Sequence, residues 1–123
     1  MKNVLIVEDS KAIRSMIRVS LEEAGGFFAV EAGNGFEALK ALPTRGFDLI
    51  ITDINMPDIN GLELIGYVKS NPAYRTIPLV IVSTEKSEED KKRGMSLGAA
   101  GYVVKPFRKE ELMAAVAKAL GEK

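Results

Sequence analysis

The chain has 123 residues, with 17 Lys and Arg balancing 17 Asp and Glu and a hydrophobic fraction of 46%; this predicts one globular domain, without the basic surface of a nucleic-acid binder or the composition of a disordered segment. With no cysteine and no histidine, the chain has no disulfide framework, thiolate metal site, imidazole base or phosphohistidine of its own, so chemistry falls to carboxylates, hydroxyls and lysines. The longest aliphatic run, 77–82, contains Pro78 and is too short to span a bilayer, and the amino terminus lacks a signal-peptide pattern, so a soluble, cytoplasmic protein is expected.

Val4 to Val7 is a continuous apolar run that suits a central strand covered on both faces, and it ends in Glu8-Asp9. Ser10 is a good N-cap for a helix whose Ile13, Met16, Ile17, Leu21 and Ala24 share one face until Gly25-Gly26 stops it. Phe27 to Val30 reads as a second strand. Asn34 then caps a helix carrying Phe36, Ala38, Leu39 and Leu42, with Glu37 placed for a capping box, and Pro43 and Gly46 end it.

The third strand, Phe47 to Thr52, runs into Asp53, and the chain leaves the sheet through a loop marked by Pro57 and Asn60-Gly61. Helical spacing resumes at Leu62, Ile65 and Val68 and is broken by Asn71-Pro72. The fourth strand, Ile77 to Val82, leads into Ser83-Thr84-Glu85. Ser87 caps a helix with Glu88, Glu89 and Asp90 in its first turn and Lys91, Lys92 and Arg93 beyond, an order that complements the macrodipole. That helix has little apolar surface and should be loosely held. Tyr102 to Val104 is a short fifth strand ending in Lys105-Pro106, and a last helix buries Leu112, Val116, Ala119 and Leu120. Five strands alternating with five helices predict a doubly wound α/β fold with a mainly parallel sheet.

In such a sheet the carboxyl ends of the strands share one edge, which is where ligands bind. Glu8 and Asp9, Asp53, Ser83 and Lys105 all lie at those ends. Each also has a plainer reading: Asp53 as a turn former or helix cap, Glu8-Asp9 as a helix start, Ser83 as a cap, Lys105 as a solvated loop residue. Their joint placement is what the plainer readings leave unexplained. Crowded carboxylates need a cation or a lysine to neutralise them, and hard oxygen ligands without His or Cys point to Mg²⁺. Asp9 and Asp53 are the expected ligands, with the backbone carbonyl of Asn55 as a third and Glu8 acting through water. Ser83 and Lys105 suit the oxygens of a transferred phosphoryl group, and Asp53, at the centre of the edge, suits the nucleophile.

The chain resembles, over its whole length, the receiver domains of two-component response regulators, and specifically the single-domain CheY-like type. The resemblance is carried by Val-Leu-Ile-Val-Glu-Asp at Val4 to Asp9, Asp-Ile-Asn-Met-Pro at Asp53 to Pro57 with Gly61 following, Val-Ser-Thr at Val82 to Thr84, and Gly-Tyr-Val-Val-Lys-Pro-Phe at Gly101 to Phe107. It implies a flavodoxin/CheY-like sheet of order 2-1-3-4-5 and a stand-alone receiver over residues 1–123 with no output domain. It further implies Asp53 as phosphoacceptor, Glu8 and Asp9 as the Mg²⁺-holding pair, Ser83 as the switch hydroxyl, Lys105 as the phosphate-pairing lysine, Tyr102 as the aromatic whose rotamer reports the switch, and a cis bond before Pro106. The phosphodonor it implies is a histidine kinase's phosphohistidine, with the receiver catalysing both its own phosphorylation and the later hydrolysis. Glu8 replaces the more usual aspartate, so metal binding should survive with altered reach. Thr84 stands where alanine or glycine is usual and should slow entry to the site, whereas Asn55 and Glu85 occupy positions that tune hydrolysis.

The expected output is a downstream protein docking on the face of the fourth helix, fifth strand and fifth helix, with Met113 and Ala117 as candidate members. Tyr102 read without the resemblance is equally a strand aromatic that packs. A chemotaxis-type regulator is favoured and a phosphorelay shuttle is the alternative; a monomer is expected, with dimerisation through the fourth-helix face open. No nucleic acid or membrane insertion is expected. A Mg²⁺-dependent phosphatase of the haloacid dehalogenase type is disfavoured because Asn55 stands where that class has a second acid. A nucleotide-binding module is disfavoured because no glycine-rich phosphate loop follows the first strand.

Overall fold

The computed structural model describes residues 1–84 and 88–121. Five strands, β1 (Lys2–Val7), β2 (Phe27–Ala32), β3 (Leu49–Thr52), β4 (Leu79–Ser83) and β5 (Gly101–Val104), alternate with five helices, α1 (Lys11–Ala24), α2 (Gly35–Ala41), α3 (Gly61–Ser70), α4 (Glu88–Ser96) and α5 (Lys109–Ala119). The strands form one sheet in the order β2-β1-β3-β4-β5, and every neighbouring pair is parallel. This is the doubly wound order expected.

The three central strands read as unbroken apolar runs because successive residues feed two different cores. Val4, Ile6, Leu49, Ile51, Val80 and Val82 point to one face, where Ile17 and Leu21 of α1 and Leu112 and Val116 of α5 pack over them. Leu5, Val7, Ile50, Leu79 and Ile81 point to the other, under Ala38 of α2 and Leu64, Ile65 and Val68 of α3. Helix α4 meets the sheet through Gly94, its one buried residue among those described. A methyl there would meet Ile81 Cδ1 at 2.5 Å, so the missing side chain is what brings the helix in.

The strand bounds differ from expectation where hydrogen bonding overrides hydropathy. Strand β4 starts at Leu79 and not at Ile77; Pro78 has no N–H to give, although its carbonyl accepts from Ile50 N at 3.0 Å. Strand β3 starts at Leu49, after Asp48 N donates to Asn3 O at 2.8 Å and Asp48 Oδ2 accepts from Asn3 N at 2.7 Å. Ser10 caps α1 as expected, accepting from Ile13 N. Met16, at 41% exposure, and Phe36, at 53%, instead lie outside the core. The reason is that the apolar stripes of α1 and α2 are narrower than their sequence pattern, with Ser20 taking a buried place on α1. Glu37 Oε1 accepts from Gly33 N and not from the cap residue, whereas Asn60 and Glu63 form a full capping box on α3. The expected cap of α4, Ser87, lies outside the described residues.

Candidate functional site

Register brings the expected residues to one edge. Val7 is aligned with Thr52 across β1 and β3, so Glu8 and Asp53 leave the sheet side by side, with Asp53 N donating to Val7 O at 3.0 Å and Glu8 N to Ala32 O at 3.0 Å. Ser83 is the last residue of β4 and pairs with Val104. Lys105 N donates to the Ser83 carbonyl at 2.8 Å, which turns the lysine over the same edge. The peptide between Lys105 and Pro106 is cis, as the resemblance implied.

The side chains converge. Glu8 and Asp53 are 1% and 6% exposed, yet both carry carboxylates. Lys105 Nζ lies 2.5 Å from Glu8 Oε1 and 3.3 Å from Asp53 Oδ2. The remaining oxygens are held by backbone: Glu8 Oε2 accepts from Ser10 N at 2.9 Å, and Asp53 Oδ1 accepts from Ile54 N at 2.8 Å and from Asn55 N at 3.4 Å. Burial pushes both carboxyls above the ordinary carboxylate range, opposed chiefly by Lys105; for Glu8 the nearby Asp53 charge adds to the rise.

Asp9 is exposed at the mouth of the site. Glu8, Asp9 and Asp53 each offer an oxygen, and these atoms lie within 4.8 Å of one another. Three carboxylates with no nitrogen or sulfur among them fit a hard divalent cation that keeps part of its hydration. Asn55 is exposed and reaches Asp53 through its backbone N–H. Ser83 is fully buried and Thr84, beside it, is exposed. Glu85 lies outside the described residues.

Tyr102 is half-buried against the core. It also lines a groove of about 340 Å³ with Lys91, Met95, Ala115 and Lys118, which is the α4-β5-α5 face. Met113 and Ala117 correct one expectation. They line a different groove, of about 410 Å³, with Ala24, Gly25 and Phe27 at the end of α1. Residues 113 and 117 lie on one flank of the Leu112-Val116 stripe and residues 115 and 118 on the other, so only the latter pair meets the α4 side.

Two neighbours of the site, Thr52 and Arg14, were given no role by the sequence reading, and a third, Gly61, was read only as part of a turn and of the family motif. Thr52, fully buried, donates its hydroxyl to the Asp53 carbonyl at 3.0 Å. Gly61 packs against that same carbonyl. Arg14 Nη1 donates to the Glu8 carbonyl at 2.8 Å. Lys11, nearer the start of α1, opposes the macrodipole more strongly, so no local signal singles out Arg14 in the sequence.

Comparison with known proteins agrees with this geometry. The family model described as "Response regulator receiver domain" matches residues 4–117. The chain is 38% identical to the Vibrio cholerae chemotaxis protein CheY4, covering 98% of this chain and 99% of that one with a TM-score of 0.91. A putative response regulator from Chloroflexus aurantiacus is 30% identical, with 98% of each chain covered and a TM-score of 0.92. The Mn²⁺-bound form of response regulator Rcp1 is 27% identical, with 94% of this chain and 89% of that one covered and a TM-score of 0.81.

Proposed function

Because the chain belongs to the response regulator receiver family, we propose that Asp53 is its phosphoacceptor and that Glu8, Asp9, Ser83 and Lys105 serve the transfer. The observation that carries this reading is the pairing of a buried Asp53 carboxylate with Lys105 Nζ at 3.3 Å, at the sheet edge where Glu8 and Asp9 also converge. An oxygen of Asp53 attacks phosphorus as the P–N bond of a histidine kinase's phosphohistidine breaks, forming an acyl phosphate and releasing the imidazole. Backbone N–H groups of Ile54 and Asn55 hold the carboxylate for attack. Lys105 gives up part of its pairing with Asp53 and donates to a phosphoryl oxygen, with the Ser83 hydroxyl as a second donor.

Glu8, Asp9 and Asp53, with the Asn55 backbone carbonyl, would hold Mg²⁺. When bound, that ion supplies positive charge to the phosphoryl oxygens. The same groups serve hydrolysis by water, so the receiver acts on itself and not on a separate substrate. Residues 1–123 act as a receiver module, which the near-complete mutual coverage with CheY4 supports; no described helix is long and apolar enough to cross a membrane. Phosphorylation biases Ser83 and Tyr102, and through them the α4-β5-α5 face offered to a downstream protein. The 38% identity to a chemotaxis protein favours a chemotaxis output.

Intact-mass measurement after incubation with acetyl phosphate tests the chemistry. A single phosphoryl adduct that requires Mg²⁺ and disappears in Asp53→Asn is expected. An adduct retained in Asp53→Asn would overturn the assignment.

A further inference from the structure

We infer that Arg14 is a positioning residue for the Glu8-Asp9 pair, gripping the peptide that carries Asp9 and thereby setting divalent-cation affinity. The inference rests on the reading that Glu8, Asp9 and Asp53 hold that cation.

The grip has two arms. Arg14 Nη1 donates to the Glu8 carbonyl at 2.8 Å, while Nε donates to Glu31 Oε1 on β2 at 2.9 Å. With its side chain only 18% exposed, Arg14 is a semi-buried strut between β2 and the β1–α1 connection, not a solvated surface charge. Glu31 is itself braced, because Arg18 Nε lies 2.9 Å from its second oxygen. That second contact is an ion pair without hydrogen-bond alignment.

The consequence falls on Asp9. Glu8 is fixed at its amide by Ala32 O, at one carboxylate oxygen by Ser10 N and at the other by Lys105. Its carbonyl is the acceptor that Arg14 holds, and that carbonyl belongs to the peptide unit leading into Asp9. Asp9 is exposed, so packing does little to orient it and its backbone must. Residues that orient metal ligands from behind commonly change affinity by about tenfold or more when removed.

Arg18 supplies an internal control. It meets the same Glu31 from the same helix, one turn on, but its ion pairs, to Glu31 and Glu22, leave Glu8 untouched. A merely structural role for Arg14 would lower the thermal midpoint without changing cation affinity.

The test is Mn²⁺ binding to the full chain, read from the electron paramagnetic resonance signal of free Mn²⁺, with the thermal midpoint recorded for each variant. Arg14→Ala is expected to weaken binding about tenfold, while Arg18→Ala stays within about twofold of wild type, a change too small to indicate a lost orienting contact. Arg14→Lys retains one charged arm, so it should fold normally and fall between wild type and Arg14→Ala; it carries the test if Arg14→Ala does not fold. Wild-type affinity in Arg14→Lys and Arg14→Ala, or an equal loss in Arg18→Ala, would overturn the inference alone, provided that Asp53→Asn abolishes binding. Absence of Mn²⁺ binding in wild type, or binding undisturbed in Asp53→Asn, would overturn the metal-site reading and the inference with it.

Discussion

Gly61 lies so close to the Asp53 backbone that a β-carbon on it would sit 2.0 Å from the Asp53 carbonyl oxygen. Gly61 N also donates to Ile54 O at 2.9 Å, closing the loop that follows the candidate phosphoacceptor onto the start of α3. The obstructing atoms are backbone, so nothing flexible can yield. Gly61→Ala is expected to cost about 3 kcal/mol through forced backbone displacement. Gly66, inside α3 with nothing within 4 Å of where a β-carbon would stand, should gain about 0.5–1 kcal/mol as Gly66→Ala from helix propensity. Urea denaturation of both variants decides the matter, since two similar midpoints would remove the steric argument.

Lys105 is the cation between two buried carboxylates. Lys105→Met keeps much of the side chain's bulk and removes the charge, leaving Glu8 and Asp53 to repel each other. The expected loss at neutral pH is about 3–5 kcal/mol, the range for breaking a buried ion pair from one side. Acidification should shrink that loss, because protonated carboxyls no longer need the cation. Denaturation at neutral and at mildly acidic pH separates the causes: an equal loss at both would mean that packing, not charge, is what Lys105 contributes.

The raised carboxyls of Asp53 and Glu8 set the sign of a pH effect. Between the ordinary carboxylate value and the raised one, the folded chain binds more protons than the unfolded chain. Their contribution to stability is therefore full below the unfolded value and is lost as pH rises through the folded one. With divalent cations chelated, Asp53→Asn should raise the melting midpoint by a few degrees at neutral pH and by less below the ordinary carboxylate value. Adding Mg²⁺ should narrow or reverse the neutral-pH difference, since ligand binding stabilises only the chain that retains the site. A mutant less stable than wild type at neutral pH in chelator would contradict the desolvation argument.

Thr84 is exposed immediately after the buried Ser83, on the approach to the acidic edge. The family resemblance implies that its side chain borders the path of an incoming phosphodonor. Thr84→Ala should speed acetyl-phosphate labelling of Asp53 severalfold, measured by mass spectrometry over a time course. Unchanged kinetics would show that access is limited elsewhere.

Local sequence determined much of this protein. Apolar runs too short for helices marked the central strands, and Ser10 and Asn34 marked where two helices begin, because strand and cap preferences act over a few residues. The strand ends then located Glu8, Asp9, Asp53, Ser83 and Lys105 on one edge, since parallel strands share a direction. The strand order came from the family resemblance and not from periodicity.

Tertiary structure alone decided what those residues meet. Lys105 and Glu8 are 97 positions apart and pair because β5 and β1 end over the same edge. The closeness of Gly61 to Asp53 depends on how the loop of residues 54–60 folds back, and Arg14, beside its local contact with the Glu8 carbonyl, finds a second anchor in Glu31 because β2 lies next to β1. The flank of α5 that holds Met113 and Ala117 turned toward α1 for the same reason. Periodicity tells which face of an element is apolar, but not which neighbour lies along each side of it; that follows from the crossovers and from the packing of both cores.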